Sequence, residues 1–343
     1  MESALHLQRT VRTGLIVCLL FSATSLLAAE KPDWVDGAGA HYPDATYLTG
    51  VGSGDTRQKA EDSAYAALAR IFRTEVRSTV QEREDFKQAE KTQGVEVDRR
   101  VDIQNQTVVS TDKVLEQVRI AERWADPVSQ VYYALAVLDR AKSAAALRQQ
   151  SLDAETEARE WESRAKRATD PMEQARALRK AILAARRTES YEADLRVVQP
   201  TGRGEGLNVN PALLDAQLRE LLSRAFRVDV HIEGPYGAPV RDALLAKLHE
   251  KGLTGAPDGE ILIQGEVGME PVDLNDPRWH YARWTAHVTL TQKEGQKIFG
   301  GLQRSGREGH LSAKEADRKA LSAMQKELSE SVGETLLNFI YGN

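Results

Sequence analysis

The chain has 343 residues, 46 of them basic and 51 acidic, for a net charge of −5 at neutral pH. That balance argues against a nucleic-acid binder, which needs a basic patch to meet phosphates. A single cysteine, Cys18, rules out an internal disulfide and a disulfide-stapled scaffold.

In chain order, residues 1–29 read as a signal peptide: Arg9 and Arg12 are a positive lead, Gly14–Leu27 is an apolar run, and Ala28 and Ala29 are small residues at a cut. The run is short for a bilayer span, and an uncleaved anchor is the other reading. Cys18 lies inside this run behind Val17, not behind a small residue, so it reads as apolar filler lost with the signal and not as a lipid-attachment site. The mature chain loses Arg9, Arg12 and Glu2, keeps 44 basic and 50 acidic residues, and carries −6. No later stretch is apolar enough to cross a membrane, so a soluble periplasmic protein is expected, peripheral to the outer membrane at most. About 310 residues remain, enough for two modest domains and a spacer.

Lys31–His41 is a polar lead whose one large apolar residue, Trp34, is expected to dock on the first domain. Tyr47–Val51 predicts a strand. Gly50, Gly52 and Gly54 predict a tight strand-to-helix turn with close backbone packing. Asp55 is expected to cap the next helix with Gln58 as its reciprocal partner. Ala60, Ala64, Ala67, Leu68, Ile71 and Phe72 then recur at helical spacing. Residues 80–112 are polar and read equally as helix or extended chain. Val114–Trp124 and Val131–Leu138 predict a hairpin around Asp126-Pro127, and the second strand, apolar on both faces, should be central. Asp139–Ala168 and a helix restarting at Asp170-Pro171, with Glu173 reaching back, predict a charged antiparallel pair. Residues 139–187 read as a solvated spacer, with an interaction arm as the alternative. Gln199–Gly206 is a loop, and Asn210-Pro211 opens another helix.

The last third is a new unit. Phe226, Val228, Val230 and Ile232 predict a strand, Pro239–Lys251 a helix and Ile261–Val267 a strand. His280, Ala282, Trp284, Ala286, Val288 and Leu290 alternate with polar residues, the cleanest two-residue period in the chain. Glu294-Gly295 turns this strand into a partner around Ile298–Leu302. Ser312 and Glu315 predict a capping box for a closing helix that buries Ala316, Ala320, Met324, Leu328, Val332 and Leu336. The fold class is therefore α+β. The expected division is a signal peptide (1–29), a first domain (30–140), a helical connector and loop (141–222) and an autonomous second domain (223–343).

The strand–glycine–helix stretch TYLTGVGSGDTRQKAEDSAYAALARIF (46–72), followed by VYYALAVLDR (131–140) behind a secretory signal, resembles the Lpp-twenty lipoprotein family over about residues 33–140. That resemblance implies a bacterial envelope protein associated with the outer membrane. The strand and helix order of the last third resembles the periplasmic domain type of curli-secretion lipoprotein G, the amino-terminal part of TolB and the middle domain of flagellar assembly protein T.

No constellation argues for catalysis. The glycines at 50, 52 and 54 lack the dinucleotide-binding spacing, and no P-loop lysine follows. His41, His231, His249, His280, His287 and His310 show no metal-ligand spacing, no serine sits in a nucleophile elbow, and no metal or cofactor is expected. The abundant carboxylates read as solvated faces. The candidate binding residues are Trp279, Tyr281 and Arg283, a cation and aromatics on a face opposite the core residue Trp284. Ordinary cross-strand pairing is the plain alternative. The function expected is a non-catalytic structural or assembly factor of the cell envelope, with envelope or flagellar-type proteins as partners and no nucleic acid. A periplasmic binding module for a small ligand, glycan or lipid is the second reading. Nothing in the sequence sets the oligomeric state.

Overall fold

The computed structural model describes residues 30–37, 39–88, 114–206, 208–274 and 278–342, with 75 and 77–88 as backbone only. The signal-peptide reading, Cys18 and most of the polar stretch 80–112 lie outside the described residues. Within them the chain is α+β, with two sheets and six α-helices.

The first sheet is antiparallel, in the order β1 (Tyr47–Gly54), β3 (Tyr132–Asp139), β2 (Arg119–Ala125). As its two apolar faces require, β3 is central. Leu135 and Val137 pack under Trp34, which is 2% exposed and donates its indole N–H to Glu122 at 2.7 Å. Ala134, Ala136 and Leu138 face α1 (Arg57–Gln88). The strand β2 starts later than expected, because residues 114–115 form a helical turn with Val114 buried.

The three glycines correct the turn reading. Gly50, Gly52 and Gly54 lie inside β1, and none has positive φ. They sit at alternate positions on the face that meets α1. A Cβ on Gly52 would stand 2.0 Å from the Ala64 amide nitrogen, and one on Gly50 would stand 2.5 Å from that of Leu68. Across the sheet Gly50 pairs with Ala136 and Gly52 with Ala134. The helix therefore lies on a floor of glycine and alanine, close enough that only the missing side chains allow it. The expected cap is also corrected. Thr56 precedes the helix and accepts from the Lys59 amide, while Asp55 pairs with Lys59 and Gln58 donates to Asp62.

Two long helices follow, α2 (Arg140–Arg167) and α3 (Pro171–Val198), each about 42 Å at 1.5 Å per residue. Asp139 and Asp170 cap them, accepting from Lys142 N and from Met172 N and Glu173 N. The Glu173 side chain pairs with Arg164 instead of reaching back to the cap. The solvated-spacer reading is corrected. Ala175, Ala177, Leu178, Ala181 and Ile182 of α3 join the core of the last third, while Ala193, Leu195 and Val198 join that of the first sheet. Alanine makes this possible, since a helix of charged and small residues can bury a wide face without bulky side chains. Arginines tie the joints. Arg140 donates to the Val197 and Val198 carbonyls, and Arg176 to those of Ile340 and Phe339, each at a helix C-terminus where carbonyls lack intrahelical partners. Buried Arg186 pairs with Asp215, and buried Glu192 accepts from the Glu205 and Gly206 amides, pinning the loop that follows α3.

Asn210 caps α4 (Pro211–Ala225), which leads into the second sheet. This sheet runs β5 (Thr254–Gly255), β4 (Arg227–Glu233), β6 (Ile261–Val272), β7 (His280–Gln292), β8 (Lys297–His310). The strand β4 is parallel to β5 and β6 because α5 (Gly237–Glu250) carries the chain across, and the β6–β7–β8 meander is antiparallel. One face packs against α5 and α6 (Ala313–Tyr341) through Leu244, Leu248, Met324, Leu328, Val332 and Leu336. The same core continues through Phe226 and α4 into α3, so a division at residue 223 passes through contiguous apolar packing. The expected capping box at α6 does not form. Ser312 makes no side-chain cap, its amide donates to His310 Nδ1, and Glu315 pairs with Arg318.

Candidate partner-binding face

The two-residue period of β7 puts Ala282, Trp284, Ala286, Val288 and Leu290 in the core. Arg283, Thr285 and His287 are exposed on the other face, with Tyr281 half-buried. The described helices pack on the first face, through the core that holds Trp284. Three candidates named from the sequence meet on the other face. Trp279, 41% exposed, stacks on Tyr281 with ring centroids 6.3 Å apart and planes 22° apart. Arg283 sits two residues further along the same face.

The structure adds a fourth member. Arg307 of β8 is directly opposite Arg283, and its guanidinium lies 5.8 Å from the Tyr281 ring centroid, within cation–π range. Arg283 Nη1 is 3.8 Å from Glu270 Oε1 of β6, longer than a hydrogen bond. Sequence reasoning missed Arg307 because β8 runs to His310, well past the expected Leu302; glycines at 306 and 309 interrupt the apolar alternation there. The hairpin register counted back from the Glu294-Gly295 turn is the signal that could have found it. Glycine supports the cluster physically. A Cβ on Gly309 would stand 2.6 Å from Tyr281 Cε1, and one on Gly306 would stand 2.5 Å from Trp284 Nε1. Each aromatic of β7 thus lies across a glycine of β8, one on each face of the ribbon.

The same open face turns acidic toward β4. Asp229 accepts from Lys293 Nζ at 2.9 Å and from the Asp258 amide, and His231 Nε2 is 2.8 Å from its other oxygen. Partial burial pushes the Asp229 carboxyl up, but the Lys293 hydrogen bond, the His231 and Lys293 charges and the amide together hold it below the usual range. At the sheet's end the Arg227 guanidinium hydrogen-bonds Glu260 and lowers that carboxyl despite its partial burial.

His280 and His310 are opposite each other across β7–β8, a pairing the sequence spacing hides. Among the described residues no group of three or more His, Cys, Asp or Glu could hold a metal ion. Stacked rings and side-by-side guanidiniums can bind carboxylates and apolar edges.

No curated protein matches the chain. Among solved structures, a secreted protein from Helicobacter pylori covers 85% of this chain and 98% of its own at 14% identity and a TM-score of 0.39. A minor lipoprotein from Acinetobacter baumannii covers 33% of this chain and 92% of its own at 11% identity and a TM-score of 0.29. A lipoprotein from Neisseria meningitidis covers 33% and 99% at 13% identity and a TM-score of 0.24. No described helix is long and apolar enough to cross a membrane. Residues 32–139, which hold the glycine–alanine floor and α1, match the model of the LPP20 lipoprotein family.

Proposed function

We propose that this chain is a non-catalytic structural or assembly factor of the cell envelope, acting through protein–protein contacts at the outer membrane or in a periplasmic assembly such as flagellum-like machinery. The family match supports an exported envelope protein. The finer reading rests on one observation: an aromatic–arginine cluster, Trp279–Tyr281–Arg283–Arg307, on a sheet face that no described element covers. Aromatics and arginine are the residues that dominate contact energies when a partner desolvates them.

The test is site-specific photo-crosslinking in intact cells. A photoreactive residue at Tyr281 should give a discrete adduct with an envelope protein. The same residue at Val128, 91% exposed on the β2–β3 turn, should not give that adduct. Equal adducts from both positions, or none from Tyr281, would count against the proposal.

A further inference from the structure

From the chemistry of this face, and resting on the reading just given, we infer that β8 accepts an added strand from an acidic, extended segment of a partner protein. Two independent observations carry the inference. The first is charge. Arg283 and Arg307 are cross-strand neighbours on one face, an arrangement that repels. Among the described residues Arg283 faces the Glu270 carboxylate at 3.8 Å, and Arg307 faces the Tyr281 ring. The outer faces of β7 and β8 carry no carboxylate between Tyr281 and Thr291 or between Gly301 and Gly309. A carboxylate on a strand added at the free side of β8 would lie beside Arg307, offset the repulsion and accept charge-assisted hydrogen bonds from its guanidinium.

The second observation is the edge. The strand β8 has 14 residues and, among the described residues, pairs with β7 on one side only, so its other side presents backbone donors and acceptors for strand addition. The outer face is open at Gly301, where a Cβ would meet nothing within 4 Å. Side chains of an added strand project to this face at every second residue, about 6.8 Å apart. Acidic residues at alternate positions would therefore line up beside Arg307 while the backbone pairs with β8. The Trp279–Tyr281 stack marks the end of the β7–β8 ribbon where an apolar residue of the segment would sit.

The test uses the chain from residue 30 to 343 and a fluorescent octapeptide of alternating Thr and Glu. Alternating Thr-Lys and Thr-Gln peptides, and vesicles containing phosphatidylglycerol, serve as comparisons. The Thr-Glu peptide should bind about tenfold or more tightly than either comparison peptide, as one charge-assisted contact would give. Its binding should slow hydrogen exchange at β8 amides. Arg307→Glu should weaken that binding by a similar factor while raising the melting temperature, because it turns a repulsive cross-strand pair into an Arg–Glu pair. Equal binding of the three peptides, unchanged exchange in β8, binding to vesicles without binding to the peptide, or an Arg307→Glu chain that binds as the parent does would each overturn the inference. A Tyr281 adduct whose crosslinked segment is not acidic would sink the inference and leave the contact function standing. The absence of any adduct would sink the function itself.

Discussion

The glycines of β1 let α1 approach the strand closely, and Gly52→Ala is the smallest perturbation that tests this. The added Cβ would lie 2.0 Å from Ala64 N, which is 1.4 Å inside the 3.4 Å of an ordinary contact, and 2.5 Å from the Ala60 carbonyl oxygen. These neighbours are helix backbone, so no side-chain rotation relieves the overlap. The helix must lift, and with it the fully buried layer of Ala60, Ala64 and Leu68. Overpacking typically costs about 1–3 kcal/mol, and a gap of 0.5–1 Å already forfeits roughly a quarter to a half of each dispersion contact it opens. The expected loss is therefore at the top of that range, about 3 kcal/mol, or a fall of roughly 6–12 °C in Tm. Gly52→Val should be worse. Urea and thermal denaturation followed by circular dichroism read the effect, with Gly301→Ala on the open face as the matched control that should melt like the parent. If Gly52→Ala and Gly301→Ala melted together, the close strand–helix contact would not exist, and the role assigned to the glycines would be wrong.

Further outcomes follow from the second sheet and the hairpin. Trp284→Ala should cost roughly 3–5 kcal/mol, the usual loss for a large core aromatic, whereas Trp284→Phe should be far milder because the buried indole N–H has no acceptor among the described residues; urea titrations of the two variants separate these cases. Tyr281→Ala, on the open face, should leave the urea midpoint nearly unchanged. Fragment 223–343 should be less stable than 171–343 in the same assay, because cutting at 223 exposes the apolar surface that α3 and α4 share with the sheet; equal midpoints would show that α3 and α4 contribute nothing to it. Glu260 has a carboxyl depressed by Arg227, so its share of stability is full above the unfolded carboxylate range and is lost as pH falls through the lowered folded value. Arg227→Gln should therefore make stability fall less steeply on the acid side, by a small amount given the exposure of the pair.

Periodicity made much of this fold legible. The strand β7 and helix α6 bury the residues their spacing names, because a two-residue or 3.6-residue pattern can satisfy only one geometry. Caps were less legible. At Asp139, Asp170 and Asn210 the side chain accepts from the following amides, but Asp55 lost its helix to Thr56, and Glu315 preferred Arg318. Short polar side chains choose among several near-equal partners, and sequence spacing does not rank them. For the glycines of β1 the sequence implies a strand-to-helix turn with close backbone packing; the close packing is present, but the glycines lie in the strand with no positive φ, and what they supply is the missing Cβ under α1. Burial of α3 was hidden for a related reason: alanines between charges look solvated until two cores are set against them. The binding face was half visible. Trp279, Tyr281 and Arg283 share one strand end, but Arg307 arrives only through the cross-strand register.

The central claim, that the open face of the β7–β8 ribbon is where this protein meets its partner, is tested most directly by hydrogen exchange on the complex with the protein captured from Tyr281. Slowed exchange concentrated in residues 279–310, lost in a Tyr281→Ala Arg307→Glu double variant that still folds, is the expected result. Slowed exchange confined to the first sheet or to the outer face of α2, with the β7–β8 amides exchanging as in the free chain, would contradict the account.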